Sequence, residues 1–346
     1  MPLISVCVPA YNRAALLAPL LDSIFGQDFQ DMEVVIAEDS SPEQYAIRRV
    51  ATEYAARYPG KLYYHENPSN LGYDGNLRHL VELACGDYVV FMGNDDLLAE
   101  GALAAIAATI RIHPNVGVVL RSYDSFVDDP LRPVQTFRYF GGVRFFPAGA
   151  PAIVTFFRRC VFISGMVVRR ESAHKHATDR FDGTLLYQQY LVGHILANEN
   201  GVYLPQTLSH QRLGGTPDFG NSPAERGRFV PREQTPESSV HFTRGMLRIA
   251  ADLEQTLRLP VYMPILRDIG NYAYPILSIQ AGGSRRTLIR YARDLAALGL
   301  WRVPLFHVYV FGLLLLGRRN CDSLIAAIKA RLGRSPVIGK VYSGQR

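Results

Sequence analysis

Tyr88-Val89-Val90-Phe91-Met92-Gly93-Asn94-Asp95-Asp96 is the stretch that decides the fold. An apolar run rich in β-formers ends on two adjacent carboxylates. Such a run reads as a strand covered on both faces, as in a parallel sheet under helices. Open α/β sheets bind their ligands beyond the carboxyl ends of their strands. Asp95 and Asp96 repel each other there, and a hard divalent cation relieves the repulsion by taking oxygen ligands. A solvated turn in which Asp96 caps the next helix is the plainer reading, and the neighbouring strands weigh against it.

Upstream, Ile4–Pro9 is a short apolar strand broken by Ala10-Tyr11-Asn12-Arg13, and Ala14–Phe25 has helical periodicity. Met32–Ala37 is a second strand ended by Glu38-Asp39, Gln44–Tyr58 a helix, and Leu62–His65 a third strand. Asn67–Gly75 reads as a loop and Asn76–Ala84 as a helix. Strands alternating with helices predict right-handed βαβ units, a mostly parallel sheet and an α/β fold. Asn12 and Arg13, Glu38 and Asp39, Asn70 and Asp74, and Asp95 and Asp96 each follow a successive strand. Four strand ends on one sheet edge build one pocket.

No G-x-G-x-x-G follows the first strand and no G-x-x-x-x-G-K-[ST] occurs, which removes the main support for dinucleotide and P-loop chemistry. A pocket without a glycine cradle can hold phosphate through a metal on Asp95 or Asp96, because Mg²⁺ typically uses one or two carboxylates plus substrate phosphates. Cys7, Cys85, Cys160 and Cys321 lie far apart, which argues against structural zinc and a disulfide framework and fits a reducing, cytoplasmic compartment. The opening Met1–Val6 reads as a strand, not a signal peptide.

These pieces together resemble the family 2 glycosyltransferases of GT-A fold. The matching residues are Ile4-Ser5-Val6-Cys7-Val8-Pro9-Ala10-Tyr11-Asn12-Arg13, Val34-Val35-Ile36-Ala37-Glu38-Asp39-Ser40-Ser41, Asn70-Leu71-Gly72 through Asn76, and Gly86-Asp87-Tyr88 through Asp96. Phe91–Asp96 and the later Phe162-Ile163-Ser164-Gly165 are similar to the abequosyltransferase-like subgroup. The resemblance implies a nucleotide-diphosphate sugar donor, with Pro9, Tyr11 and Arg13 lining its base and ribose, Asp39 accepting from the nucleobase, and Asn70 in the same donor-binding set. It implies a divalent metal, Mg²⁺ or Mn²⁺, with Asp95 at the metal-binding acid of the family's D-x-D motif. Asn94 then lies near the ribose or diphosphate, and Asp96 beside the metal or donor sugar, where it also joins the catalytic set. Transfer with inversion is the family's expectation.

Two departures stand out. The first acid of D-x-D is Gly93, and Gln188-Gln189 stands where a Glu-Asp pair supplies the acceptor base. Asp182 is then the expected base, with Asp179 and His194 as alternatives.

His210 and Arg212 follow a short strand, Val202–Leu204, and open the Gly-, Pro- and Ser-rich loop Gly214–Pro236. Such a loop suits a lid over the donor, with His210 completing the metal shell and Arg212 holding diphosphate. An ordinary connector is the alternative.

Residues 1–240 carry 21 Lys/Arg against 26 Asp/Glu, and residues 241–346 carry 16 against 5. The expected division is therefore a catalytic domain over 1–240 and a basic helical region over 241–346. Val303–Gly317 lacks charge but falls short of the ~20 residues a membrane span needs. With Ser323–Leu332 it forms a basic, apolar face over 300–334 suited to an anionic membrane surface, or to the core or a second subunit of a homo-oligomer. Basic residues among aliphatic helices argue against nucleic acid.

The expected activity is sugar transfer to a saccharide or lipid-linked saccharide in cell-surface polysaccharide synthesis, peripheral to the cytoplasmic face of the membrane. A nucleotidyltransferase-like enzyme is one alternative, and a non-catalytic binding or assembly protein on the same fold is another.

Overall fold

The computed structural model describes residues 1–215 and 217–332. In chain order the elements are β1 (Ile4–Ala10), α1 (Ala14–Phe25), β2 (Met32–Glu38), α2 (Gln44–Arg57), β3 (Leu62–Glu66), α3 (Gly72–Leu83), β4 (Tyr88–Phe91), β5 (Leu97–Leu98), α4 (Ala102–Ile112) and β6 (Val116–Phe126). They continue with β7 (Gln135–Phe137), β8 (Arg144–Phe146), α5 (Ala150–Phe157), β9 (Met166–Arg169), α6 (Arg170–Lys175), α7 (Tyr187–Ile195) and β10 (Asn200–Arg212). The helices α8 (Pro236–Leu257), α9 (Tyr262–Asn271), α10 (Tyr274–Ile279), α11 (Arg285–Ala297) and α12 (Pro304–Leu332) complete them.

The strands form one sheet of order β3-β2-β1-β4-β9-β6-β10-β5, with β7 paired to β6 and β8 to β10. The β3-β2-β1-β4 half is parallel, as the alternation predicts, with Ile4 opposite both Met32 and Tyr88. β9 runs antiparallel between β4 and β6, and β6 and β10 are again parallel. Every residue of β4 is buried because helices cover both faces. One apolar cluster packs α1, α2 and α4 on one face. The other gathers α3, α5 and α7 and continues without a break through α8–α12 to Leu313 and Cys321.

Three boundaries differ from the sequence reading. α3 begins at Gly72, not Asn76, because its first amide groups are held from a distance by a carboxylate on another element. The strand expected over Val202–Leu204 extends to Arg212, its second half paired with β6 and β5. The division expected at 240/241 falls inside α8.

Among the described residues no helix is long and apolar enough to cross a membrane. α12 breaks at Gly317 (φ 73°, ψ 168°). Phe306 and Leu313 are buried, while Val308, Phe311 and Leu315 are exposed on the opposite stripe. The last two positions of the expected membrane face, 333 and 334, lie outside the described residues.

α7 and α8 meet where Gly193 faces Leu253; a Cβ at Gly193 would come 2.4 Å from a Leu253 methyl. Leu253 is fully buried. Leu253→Ala therefore leaves a cavity at this contact and is expected to lower unfolding free energy by about 2–5 kcal/mol, read by chemical denaturation.

Candidate active site

The carboxyl ends of β1, β2 and β4 open onto a cavity of about 510 Å³. Asn12 and Arg13, directly after β1, both take left-handed backbone angles (φ 54° and 61°). Non-glycine residues in that region store strain and cluster at functional sites. The turn aims the Arg13 guanidinium at Asp95, with which it forms an ion pair, and the Asn94 side chain holds the turn by donating to the Asn12 carbonyl (2.9 Å).

Of the sequence-derived candidates, Pro9, Tyr11, Arg13, Asp39, Asn70, Asn94, Asp95 and Asp96 all line this one cavity. Asp39, at the end of β2, accepts from Asn67 Nδ2 (2.7 Å) and the Leu71 amide (2.8 Å) on one oxygen and from the Gly72 amide (2.9 Å) on the other. Burial raises its pKa to about 6 against the pull of these donors.

Asp96 is nearly buried. One oxygen accepts from the Ser164 hydroxyl (2.5 Å), the other from the Arg212 amide (2.9 Å). Burial, then the neighbouring Asp95 charge, raises its pKa to about 7. Ser164 also receives the Gly93 amide on its hydroxyl, and its carbonyl accepts from Ser209 and from the fully buried Arg121. The Arg121 guanidinium lies 5.1 Å from the Tyr123 ring and 5.0 Å from the Phe162 ring. Gly93 sits in the middle of this arrangement: a Cβ there would be 3.1 Å from an Asp96 oxygen and 3.3 Å from an Asp95 oxygen.

Three candidates are not brought to the cavity. The Asp182 carboxylate is gripped by both terminal nitrogens of Arg78 (2.7 and 2.9 Å) and does not line the cavity. His210 lies on β10 between Ser209, which donates to the Ser164 carbonyl, and Gln211, which lines the cavity. Side chains alternate along a strand, so His210 points to the other face, where Nδ1 stands 3.9 Å from Asp124. Among the described residues no three His, Cys, Asp or Glu side chains are grouped to hold a metal, and the expected Asp95–Asp96–His210 set is not formed. Arg212 lies beneath the turn, its Nε donating to the Asp95 carbonyl and its guanidinium stacked on Phe126.

The alternative bases Asp179 and His194 do not line the cavity either. His194 packs against His176 and Tyr190, with its pKa pushed down to about 4 by burial. Gln188 and Gln189 are buried and donate to the carbonyls of Val161 and Phe157, tying α7 to the segment that walls the cavity.

Several lining residues escaped the sequence reading. Asp218, Phe219 and Glu225 come from the loop after β10. Asp218 accepts from Asn12 and Arg232. Glu225 accepts from the amides of Tyr73 (2.7 Å) and Gly220 (2.8 Å). The composition of the loop signalled a lid but not which of its acids reach the cavity. Leu185, in left-handed conformation (φ 64°), also lines the wall. Its turn is pinned by Asp74, whose carboxylate accepts the amides of Thr184, Leu185, Leu186 and Tyr187.

Residues 5–176 match the family described as Glycosyl transferase family 2. Abequosyltransferase RfbV of Salmonella typhimurium is 38% identical over 106 residues, 30% of this chain and 31% of that protein. The matches cover only 14% to 34% of the length of such curated relatives. The whole chain superposes on Staphylococcus aureus TarS in complex with UDP-GlcNAc, at TM-score 0.55 and 18% identity, covering 98% of that chain. It is also similar to the mannosyltransferase PcManGT of Pyrobaculum calidifontis in complex with GDP-Man and Mn²⁺ (TM-score 0.50, 17% identity, covering 96% of this chain and 88% of that one). The fold is the GT-A fold.

Burial also raises the Asp74 pKa, to about 7. Asp39, Asp74 and Asp96 thus all bind protons more tightly folded than unfolded, so the stability they contribute is complete below the unfolded pKa of about 4 and is lost as pH rises through 6 to 7. The midpoint of thermal unfolding is expected to fall across that window. Asp74→Asn, which sets an amide against four N–H donors, should lower the unfolding free energy by about 2 kcal/mol or more and flatten the pH dependence, as calorimetry at several pH values would read.

Proposed function

We propose that the protein transfers a sugar from a nucleotide-diphosphate sugar to a hydroxyl of a saccharide or lipid-linked saccharide acceptor, with inversion, in the synthesis of a cell-surface polysaccharide. The observation that carries this reading is the convergence of Arg13, Asp39, Asn94 and Asp95 from three strand ends on one cavity, within a segment that matches a glycosyltransferase family. Residues 1–240 supply the donor-binding and catalytic part and 241–346 the basic helical part.

Charge supports a divalent metal, Mg²⁺ or Mn²⁺. Asp39, Asp95, Asp96, Asp218 and Glu225 line the cavity, and Arg13 is the one Lys or Arg among the described lining residues. A diphosphate entering that field needs an added cation. Asp95 would hold it together with the donor's phosphates, the arrangement Mg²⁺ favours. Asp96, whose oxygens serve Ser164 and the Arg212 amide, fixes the turn that presents Asp95. Bound there, the metal would offset the charge that develops on the leaving diphosphate. Arg13 stands beside the same charge. Phe162, Leu185 and Phe242 give the cavity an apolar wall against which a sugar ring can pack.

The test is donor hydrolysis, followed as nucleoside diphosphate release from a panel of UDP-, GDP- and CDP-sugars. Release is expected with Mn²⁺, to stop with EDTA, and to fall by about 100-fold or more in Asp95→Ala. A folded wild type that binds donors and releases nothing points to the binding-protein alternative.

For the acceptor, the exposed Val308, Phe311 and Leu315 stripe and exposed Trp301 beside basic residues support docking on an anionic membrane surface. Phe306, Leu313 and Cys321 tie α12 into the core, so point changes are preferable to deletion. Phe311→Glu with Leu315→Glu should abolish sedimentation with vesicles containing an anionic phospholipid and leave donor hydrolysis intact. Unchanged sedimentation would remove the membrane reading and leave the stripe to a second copy of the chain.

A further inference from the structure

The base end of the cavity carries a specific pattern of acceptors. The first turn of α3 presents successive amides to two carboxylates from different parts of the chain. Gly72 donates to Asp39 and Tyr73 to Glu225. Asp39 comes from the end of β2, and Glu225 from the loop after β10, held in place on its other oxygen by the Gly220 amide. Gly72 permits this close packing. Its φ is +78°, and a Cβ there would lie 2.5 Å from the Ser222 hydroxyl and 2.9 Å from a Glu225 oxygen. Both carboxylates line the cavity.

A carboxylate has about four lone-pair sites. Asn67 and the Leu71 amide fill one Asp39 oxygen and the Gly72 amide takes one site on the other, while Glu225 receives one amide on each oxygen, so one acceptor site remains on Asp39 and one on each Glu225 oxygen. The site thus offers two neighbouring acceptors and calls for two neighbouring donors. Among the common nucleobases only guanine has adjacent N–H groups on its pairing edge, the ring N1–H and the exocyclic 2-amino group. Uracil sets carbonyl oxygens on both sides of its single N–H, and one of them would meet a carboxylate. Cytosine places an unprotonated ring nitrogen beside its amino group.

We infer that the donor is a guanosine-diphosphate sugar, its guanine read by the paired carboxylates of Asp39 and Glu225 at the start of α3. This deepens the transferase reading and rests on it. Rejection follows from burying acceptors without donors, which discriminates more strongly than a change of apolar shape.

The experiment is titration calorimetry of the full chain with GDP, IDP, UDP and CDP in Mn²⁺. IDP differs from GDP by the 2-amino group alone and requires no change in the protein. GDP is expected to bind about tenfold or more tighter than IDP, and tighter still than UDP and CDP, as the loss of a hydrogen bond to a charged group implies. Glu225→Gln keeps an oxygen for the Tyr73 amide and should bring GDP down to the level of IDP. Equal affinity for GDP and IDP, or tighter binding of UDP, overturns the inference and leaves the transferase reading standing. If none of the four binds, the transferase reading fails and takes the inference with it.

Discussion

The site depends on carboxylates that satisfy helix N-termini across the fold. The first amides of a helix have no partner within it and carry a positive partial charge. No local side chain caps α1, α3 or α7. Glu43 reaches the Ala14 amide of α1, Asp39 the first amides of α3, and Asp74 those of α7. These contacts link β2 to α3 and α3 to α7, so the walls of the cavity hold one another in place. Asp39 and Asp74 are buried in doing so, which explains why both are shifted upward despite several donors.

A second network, centred on Ser164, holds the floor. Its hydroxyl joins Gly93 to Asp96, and its carbonyl joins Ser209 to Arg121. A fully buried arginine without an ion-pair partner is costly. Here Nε and Nη2 donate to the carbonyls of Ser164 and Phe162 and two aromatic rings flank the guanidinium, while Nη1 has no hydrogen-bond partner among the described residues. The result is a turn after β4 in which Asp96 is anchored by Ser164 and the Arg212 amide, and Asp95 lines the cavity beside Arg13. The missing acid at Gly93 thus leaves the turn supported from beneath rather than unsupported.

The basic C-terminal helices continue the apolar cluster of α3, α5 and α7. α8 crosses the boundary that the charge shift suggested, and Leu253 fills the gap at Gly193. A change in charge reports which surfaces face which partners; it says little about where a core ends, because most buried positions are apolar on both sides of the shift.

By itself the sequence determined the parallel half of the sheet and the convergence of Pro9, Tyr11, Arg13, Asp39, Asn70, Asn94, Asp95 and Asp96. Apolar runs and the polar residues that end them are local signals, and parallel βαβ topology puts consecutive strand ends on one edge. Only the tertiary structure decided the rest. It turned His210 away through the parity of a strand longer than its apolar pattern, and closed Asp182 with Arg78 from another helix. It moved the start of α3 to Gly72 through a cap supplied from β2, and brought Glu225 beside Asp39 across a sequence separation that no periodicity encodes. A local pattern fixes which face a residue shares with its neighbours; which partner a buried carboxylate finds is set by long-range packing.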